Sequence, residues 1–214
     1  MQYKLSLIFI LGIICSLSSG HIRLWEPPGR STLWRDPRFA EFNPPMNTGD
    51  DGVYCGRILQ PPVPVNCGVC GDPFADPVPR PNEHGGTYGN GIIAGRFRAG
   101  QEIQMIAEVT IPHNGSFHFQ LCDELPESND CFVGKPYLPI TTAEGTFFEF
   151  PVVDSRPFWV NGTMRLPPGV SCRNCVLRVN YRSGMMGECD DGTNDYGCGL
   201  QQNFRMCADL SISL

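Results

Sequence analysis

Ser116-Phe117-His118-Phe119-Gln120-Leu121 puts its apolar residues on one face when drawn as a strand, because strand side chains alternate with period two. Working outward, short β-prone runs recur at residues 101–109, 146–153, 158–166, 176–181 and 205–212, with turn residues between them. Alternating strands at such spacing predict an all-β antiparallel sandwich. Upstream, residues 21–100 are rich in Pro, Gly, Asn and Asp, with few strand-like runs. That half reads as long ordered loops pinned by Cys55, Cys67 and Cys70. The sequence carries no repeat, no heptad and no linker leading to a second domain, so residues 21–214 are expected to form one domain. Its 214 residues, 41% of them hydrophobic, suffice for a packed core.

The first twenty residues differ from the rest. Lys4 is their only charge, residues 5–17 are apolar, and Ser18-Ser19-Gly20 are small. This predicts a secretory signal over residues 1–20, with mature protein starting at His21. The competing reading, an uncleaved anchor, meets an apolar run too short for a comfortable membrane span. Loss of Lys4 moves the formal charge from −6 to −7. An acidic chain without a Lys/Arg cluster argues against nucleic acid and anionic membrane as partners. Ten of the eleven cysteines remain after the cut, an even number that predicts up to five disulfides in an exported protein. Zinc is the rival reading for Cys67-x-x-Cys70 and Cys172-x-x-Cys175. The pairing is open at this stage.

There are four histidines, His21, His84, His113 and His118. Once exposed, His21 offers an α-amine and a ring nitrogen. The amine has an ordinary pKa of about 7.7–8.0, so a metal displaces its proton at modest cost. With a third nitrogen from another histidine, the set becomes planar and all-nitrogen, which suits copper(II). His113 lies in the turn Ile111-Pro112-His113-Asn114-Gly115 between two predicted strands. His118, on the polar face of its strand, reads as a surface residue or a polar neighbour of the site. His84, beside Gly85-Gly86, reads as a loop residue.

Longer motifs bear on this choice. His21-Ile22-Arg23-Leu24 and Pro27-Pro28-Gly29-Arg30-Ser31-Thr32-Leu33-Trp34-Arg35 open the mature chain. Asn66-Cys67-Gly68-Val69-Cys70-Gly71-Asp72, the glycine-rich Gly85–Ile93 stretch and His113-Asn114-Gly115-Ser116-Phe117-His118-Phe119 follow. Gly197-Cys198-Gly199-Leu200-Gln201-Gln202-Asn203-Phe204-Arg205-Met206-Cys207 closes the series. In this order they resemble the lytic polysaccharide monooxygenases of auxiliary-activity family fifteen.

The resemblance implies an immunoglobulin/fibronectin-III-like sandwich whose flat face presents one copper ion. It implies a histidine brace of His21, through amine and ring, and His113. Phe204 falls at the axial position, where it blocks one side without ligating; core packing explains a Phe there equally well. Gln202 stands beside the copper where the family usually has glutamate. Ile111 replaces a common alanine, and Pro112 and Leu200 also depart from the pattern. The implied reaction is oxidative cleavage of a β-1,4-linked polysaccharide at C1, chitin first and cellulose second. It uses an external electron donor and O2 or H2O2. The implied partner is an insoluble polysaccharide surface, met by a secreted, extracellular monomer. A non-catalytic chitin-binding or cuticle-associated protein of the same fold is the alternative. A hydrolase built on Asp190-Asp191 is a weaker rival, since these read as turn residues. Asn114-Gly115-Ser116 and Asn161-Gly162-Thr163 are N-glycosylation sequons. Asn114 is expected to stay unmodified, because a glycan there would obstruct the flat face.

Overall fold

A computed structural model describes residues 20–59 and 66–214. The proposed signal, Gly20 excepted, lies outside the described residues. The strands are β1 (His21–Glu26), β2 (Tyr54–Ile58), β3 (Gly95–Arg98), β4 (Glu102–Ile111), β5 (Ser116–Cys122), β6 (Ile140–Thr142), β7 (Gly145–Phe147), β8 (Phe150–Pro151), β9 (Phe158–Arg165), β10 (Cys172–Arg182), β11 (Met186–Glu188), β12 (Asn194–Tyr196) and β13 (Gln201–Ser213). Helical structure is confined to short pieces, including Leu33–Arg35, Pro37–Phe42 and Asn129–Phe132. One sheet runs β1-β4-β9-β6-β7, and the facing sheet runs β2-β13-β10-β5-β8. Pairing is antiparallel throughout except where β3 joins β13. This is the expected all-β sandwich.

Alternation builds the core. Ile103, Met105, Ala107 and Val109 of β4 point inward with Ile22 and Leu24 of β1. They meet Phe117, Phe119 and Leu121 of β5, Leu177, Val179 and Tyr181 of β10, and Phe204 and Met206 of β13. Each large side chain so buried contributes about 1.5–3 kcal/mol.

Three features correct the sequence reading. The N-terminal half supplies β1, β2 and β3 as well as loops. The run at 146–153 breaks into β7 and β8, with Phe148 turned out to solvent at the break. The outer face of the β2-β13-β10-β5 sheet is covered, not wet. Gln120, Arg178, Asn180, Arg205 and Asp209 are all buried there. The loop around Val69–Cys70 and the helix Asn129–Phe132 close over that face, with Val69 and Phe132 packed on Val176.

The ten cysteines of the predicted mature chain form five disulfides: Cys55–Cys67, Cys70–Cys207, Cys122–Cys131, Cys172–Cys175 and Cys189–Cys198. The zinc reading is thereby displaced. Cys70, Glu127 and Cys207 cluster, but both sulfurs are committed to one disulfide. Arg30 sits against that bond. It makes two hydrogen bonds to Asp209, at 2.7 and 2.8 Å, and a close one to Glu127. This buried group ties the first loop to β13. No helix among the described residues is long and apolar enough to cross a membrane.

Cys70–Cys207 closes a loop across 137 positions, so it constrains the unfolded chain strongly. Replacing both cysteines with alanine should lower the urea unfolding free energy by roughly 2–5 kcal/mol with far-ultraviolet dichroism unchanged. A loss under about 1 kcal/mol would mean that the Arg30 network holds the loop without it.

Candidate metal centre

His21 opens β1, and its register partner across the sheet is Ile111 near the end of β4. Two residues later the chain turns at His113 into β5. The ladder therefore brings the two histidines to one end of the sandwich. The His113 turn is tight. Asn114 and Gly115 have positive φ values of 52° and 80°. A Cβ on Gly115 would lie 2.1 Å from the Arg182 carbonyl oxygen, so only glycine fits. The buried Tyr181 hydroxyl accepts from His113 N at 2.7 Å and donates to the Asn114 carbonyl at 3.0 Å. Burial pushes the Tyr181 phenol up to about 12, so it stays a neutral clamp.

The start of β1 is anchored as firmly. Ile22 N donates to the Asp51 carbonyl at 3.0 Å, and Thr110 Oγ1 donates to Asp51 Oδ2 at 2.7 Å. His21 Nδ1 lies 3.5 Å from that same Oδ2. The His21 imidazole holds the Asp51 carboxyl well below the ordinary carboxylate range. Neighbouring Asp50, fully buried, binds the guanidinium groups of Arg23 and Arg35.

Gln202 and Phe204 complete the arrangement. Gln202 Oε1 lies 3.2 Å from His113 Nδ1 and accepts from Gly20 N at 3.0 Å. An amide oxygen only accepts, so His113 Nδ1 carries the proton and Nε2 keeps the lone pair. Phe204 is fully buried. Its ring lies edge-on to His21 at 5.7 Å and stacks on Tyr54 at 5.0 Å. Gly20 is buried among Tyr181, His113 and Phe204, where a Cβ would approach each within 3.1–3.4 Å.

These residues fit a copper ion by the chemistry of their donors. Two imidazoles and the nitrogen freed by a cut after Gly20 converge beside an apolar ring, and the donors are all nitrogen. A bound ion would take His21 Nδ1 in exchange for its contact with Asp51.

The structure thus brings His21, His113, Gln202 and Phe204 together. The other two histidines lie elsewhere. His84 is in a loop, its backbone N donating to Glu127. His118 is a correction, because its side chain is 14% exposed and stacks on Tyr137 at 3.8 Å. It belongs to the covered polar face. Asp190-Asp191 occupy the exposed β11–β12 turn, as expected of turn residues. Tyr181, Asp51 and Thr110 carried no sequence signal, since each acts across 59 or more positions or through a local loop contact.

A family model described as "lytic polysaccharide mono-oxygenase, cellulose-degrading" matches residues 56–210. Among solved structures, the chain is similar to a lytic polysaccharide monooxygenase of auxiliary-activity family fifteen from Thermobia domestica, in its Cu(I) state. Identity is 36% over 90% of this chain and 98% of that one, with a TM-score of 0.75. A chitin-binding domain from Burkholderia pseudomallei matches at 12% identity and a TM-score of 0.47, over 91% of this chain and all of that one. No curated protein matches the chain.

Burial, followed by the charges of Arg178 and Arg205, drives the His118 pKa down to about 3. Tyr137 and the Glu149 carboxylate, 3.9 Å away, also face it. An unfolded histidine titrates near 6.5, so between pH 6.5 and 3 the unfolded chain takes up a proton that the native chain refuses. Stability from this group is full above about pH 6.5 and falls with acidification, by at most ~1.4 kcal/mol per pH unit. His118→Gln should flatten the slope of unfolding free energy against pH in that window. An unchanged slope would rule this assignment out.

Proposed function

The chain belongs to the lytic polysaccharide monooxygenases of auxiliary-activity family fifteen, and on that premise we propose that His21 and His113 hold its copper and that its polymer is chitin ahead of cellulose, oxidised at C1. Oxidative, copper-dependent attack on polysaccharide comes with the family. The assignment of ligands rests on one observation, the β1–β4 register that sets His21 opposite Ile111 and so brings it to the end of the sandwich where the chain turns at His113.

Copper supplies one-electron exchange with an external donor and activation of O2 or H2O2. The chain's own groups do the rest. His113 presents Nε2 because Gln202 holds the proton on Nδ1. Tyr181 fixes the backbone that carries His113, and Asp51 with Thr110 fixes the strand that carries His21. Phe204 offers no donor atom, so ligands and water are kept off its side. Gln202 cannot act as a proton store in the way a carboxylate does.

A shallow groove begins at Gly52, whose added Cβ would lie 3.3 Å from His21 Nε2. Asn47, Tyr54, Asn82 and Tyr88 help to line it. Asn47 accepts from Gly49 N with its oxygen, and its NH2 is the donor that an acetamido carbonyl needs. This favours chitin. The disulfides fit a secreted protein that works outside the cell. Both polymers are neutral, which suits a chain of charge −7 after loss of Lys4.

Protein with a free His21 amine, loaded with copper and given a reductant, should release C1-oxidised oligosaccharides from β-chitin and fewer from cellulose, read by mass spectrometry. Absence of oxidised products from both polymers, with copper bound, would refute the reading. Copper titration by calorimetry gives a separate check. A form that retains Gly20 should lose tight binding, because its His21 nitrogen is an amide and Gly20 packs against His113. Equal affinity in the two forms would overturn the brace.

A further inference from the structure

The outer face of the β1-β4-β9 sheet carries an aromatic pair that the copper site does not use. Trp159 of β9 is 52% exposed, although it is among the largest side chains in the protein. Trp25 of β1 lies beside it, with ring centroids 5.8 Å apart and planes tilted by 31°. Trp25 is held in place. Its Nε1 donates to Glu108 Oε2 at 2.9 Å, and the Arg23 guanidinium lies 5.5 Å from its ring. Ile106, half-buried, fills the strand between them, opposite Asn161 in the β4–β9 register. The result is a rigid, partly apolar shelf on a face that is otherwise polar.

Asn161 stands two residues after Trp159 and heads the sequon Asn161-Gly162-Thr163. Alternate strand residues share a face, so the exposed Asn161 lies about 7 Å along from Trp159 on the same side. Thr163 follows on that face and donates to Glu102 Oε1 at 2.6 Å. The other sequon differs. Asn114 sits in the positive-φ turn of the candidate metal centre, with Pro112 two residues before it.

We propose that Asn161 is N-glycosylated and that the first N-acetylglucosamine of its glycan packs on Trp159 and Trp25, as the occupant of this shelf. Transfer from a polyprenyl-pyrophosphate-linked oligosaccharide forms a bond from Asn161 Nδ2 to C1 of the sugar. Nδ2 loses one proton, and the carrier pyrophosphate leaves. The five disulfides fit passage through the oxidising compartment where such transfer occurs. One face of a pyranose carries ring C–H groups of partial positive charge, and these suit the negative face of indole. A sugar tethered two residues away meets the shelf at an effective concentration that a free chain end does not reach. The copper face, at the far end of β1, stays clear of it.

The test uses protein secreted from an insect-cell host. Glycopeptide mass spectrometry should find Asn161 occupied. Thermal unfolding is then compared for three forms: the intact glycan, a glycan trimmed to its first N-acetylglucosamine, and the protein after amidase removal of the whole glycan. The first two should share a Tm, and the third should fall by about 2–4 °C. In Trp159→Thr the fall should shrink by about the same 2–4 °C, and the difference between the two falls cancels any contribution from Asn114 and from the charge that the amidase leaves. An unoccupied Asn161, equal Tm values in the wild-type forms, or the same fall in Trp159→Thr overturns the proposal. So does retention on chitin that appears only after glycan removal and vanishes in Trp159→Thr, which would give the pair to the polymer instead.

Discussion

His21 faces Ile111 across the β1–β4 ladder, and that register decides whether the protein has a metal centre at all. It is set by burial. Ile22 and Leu24 are both fully buried between the sheets, while Arg23 and Trp25 point the other way; a register shift between His21 and Ile22 lets the His21 ring reach the edge of Phe204 on the facing sheet. A slip of one residue would send both apolar side chains to solvent and carry His21 out of its place opposite Ile111. Losing two such burials costs about 3–6 kcal/mol, which is comparable to the whole margin of a small domain. The strand is short, so polar contacts reinforce it. Asp51 receives Ile22 N and Thr110 Oγ1, and buried Asp50 gathers Arg23 and Arg35. The precision demanded of the donors is thus supplied by ordinary packing plus one acidic loop.

The opposite sheet solves a different problem. Its outer face carries Arg178 and Arg205 under a cover of loop and helix. Burial pulls both guanidinium groups down in pKa, Arg205 to about 10. Their acceptors are amides: Gln120 at 2.9 Å for Arg178, Asn180 at 2.7 Å and Asn129 at 2.9 Å for Arg205. Arg178 also lies 3.7 Å from the Phe132 ring. Such a layer is costly to desolvate, and it needs a cover that cannot lift. Cys70–Cys207 and Cys122–Cys131 hold that cover to β13 and β5. The same pinning keeps the Gly71–Tyr88 wall of the groove in place beside Gly52.

Much of this was legible in the sequence, and the failures have physical causes. The strands at 102–111, 116–122 and 158–165 were readable because one face of each is apolar. β2 and β3 span five and four residues, too few for a pattern. His118 was misread because alternation identifies an uncovered face only when a sheet has a single buried side. Here His118, between Phe117 and Phe119, is largely covered and Gln120 is buried, under a second layer that period two does not encode. At the metal centre, His21 stood out from its position after the proposed cut, whereas His113 and Gln202 were singled out by family resemblance. Tyr181 left no mark, since an inward Tyr on β10 looks like core until its hydroxyl is seen holding the His113 turn.

Gln202 stands where the family resemblance implies a glutamate, and the exchange has a chemical consequence. A carboxylate at that position would hold His113 Nδ1–H most strongly while ionised, and acid would weaken the contact. An amide oxygen accepts at every pH, so the acceptor that Gln202 offers to His113 Nδ1 does not depend on an ionisation of its own. The gain in constancy carries a loss. With the Asp51 carboxylate already engaged by Thr110 on the far side of His21, the Gln202 side brings no titratable oxygen to the donors. Phe204 and Tyr181, both fully buried, close the inner side, so proton movement at the centre is left to solvent and to the Asp51 carboxylate, whose Oδ2 lies 3.5 Å from His21 Nδ1. A bound polymer surface that excludes water would for this reason slow proton delivery more here than in a relative with glutamate at the same place.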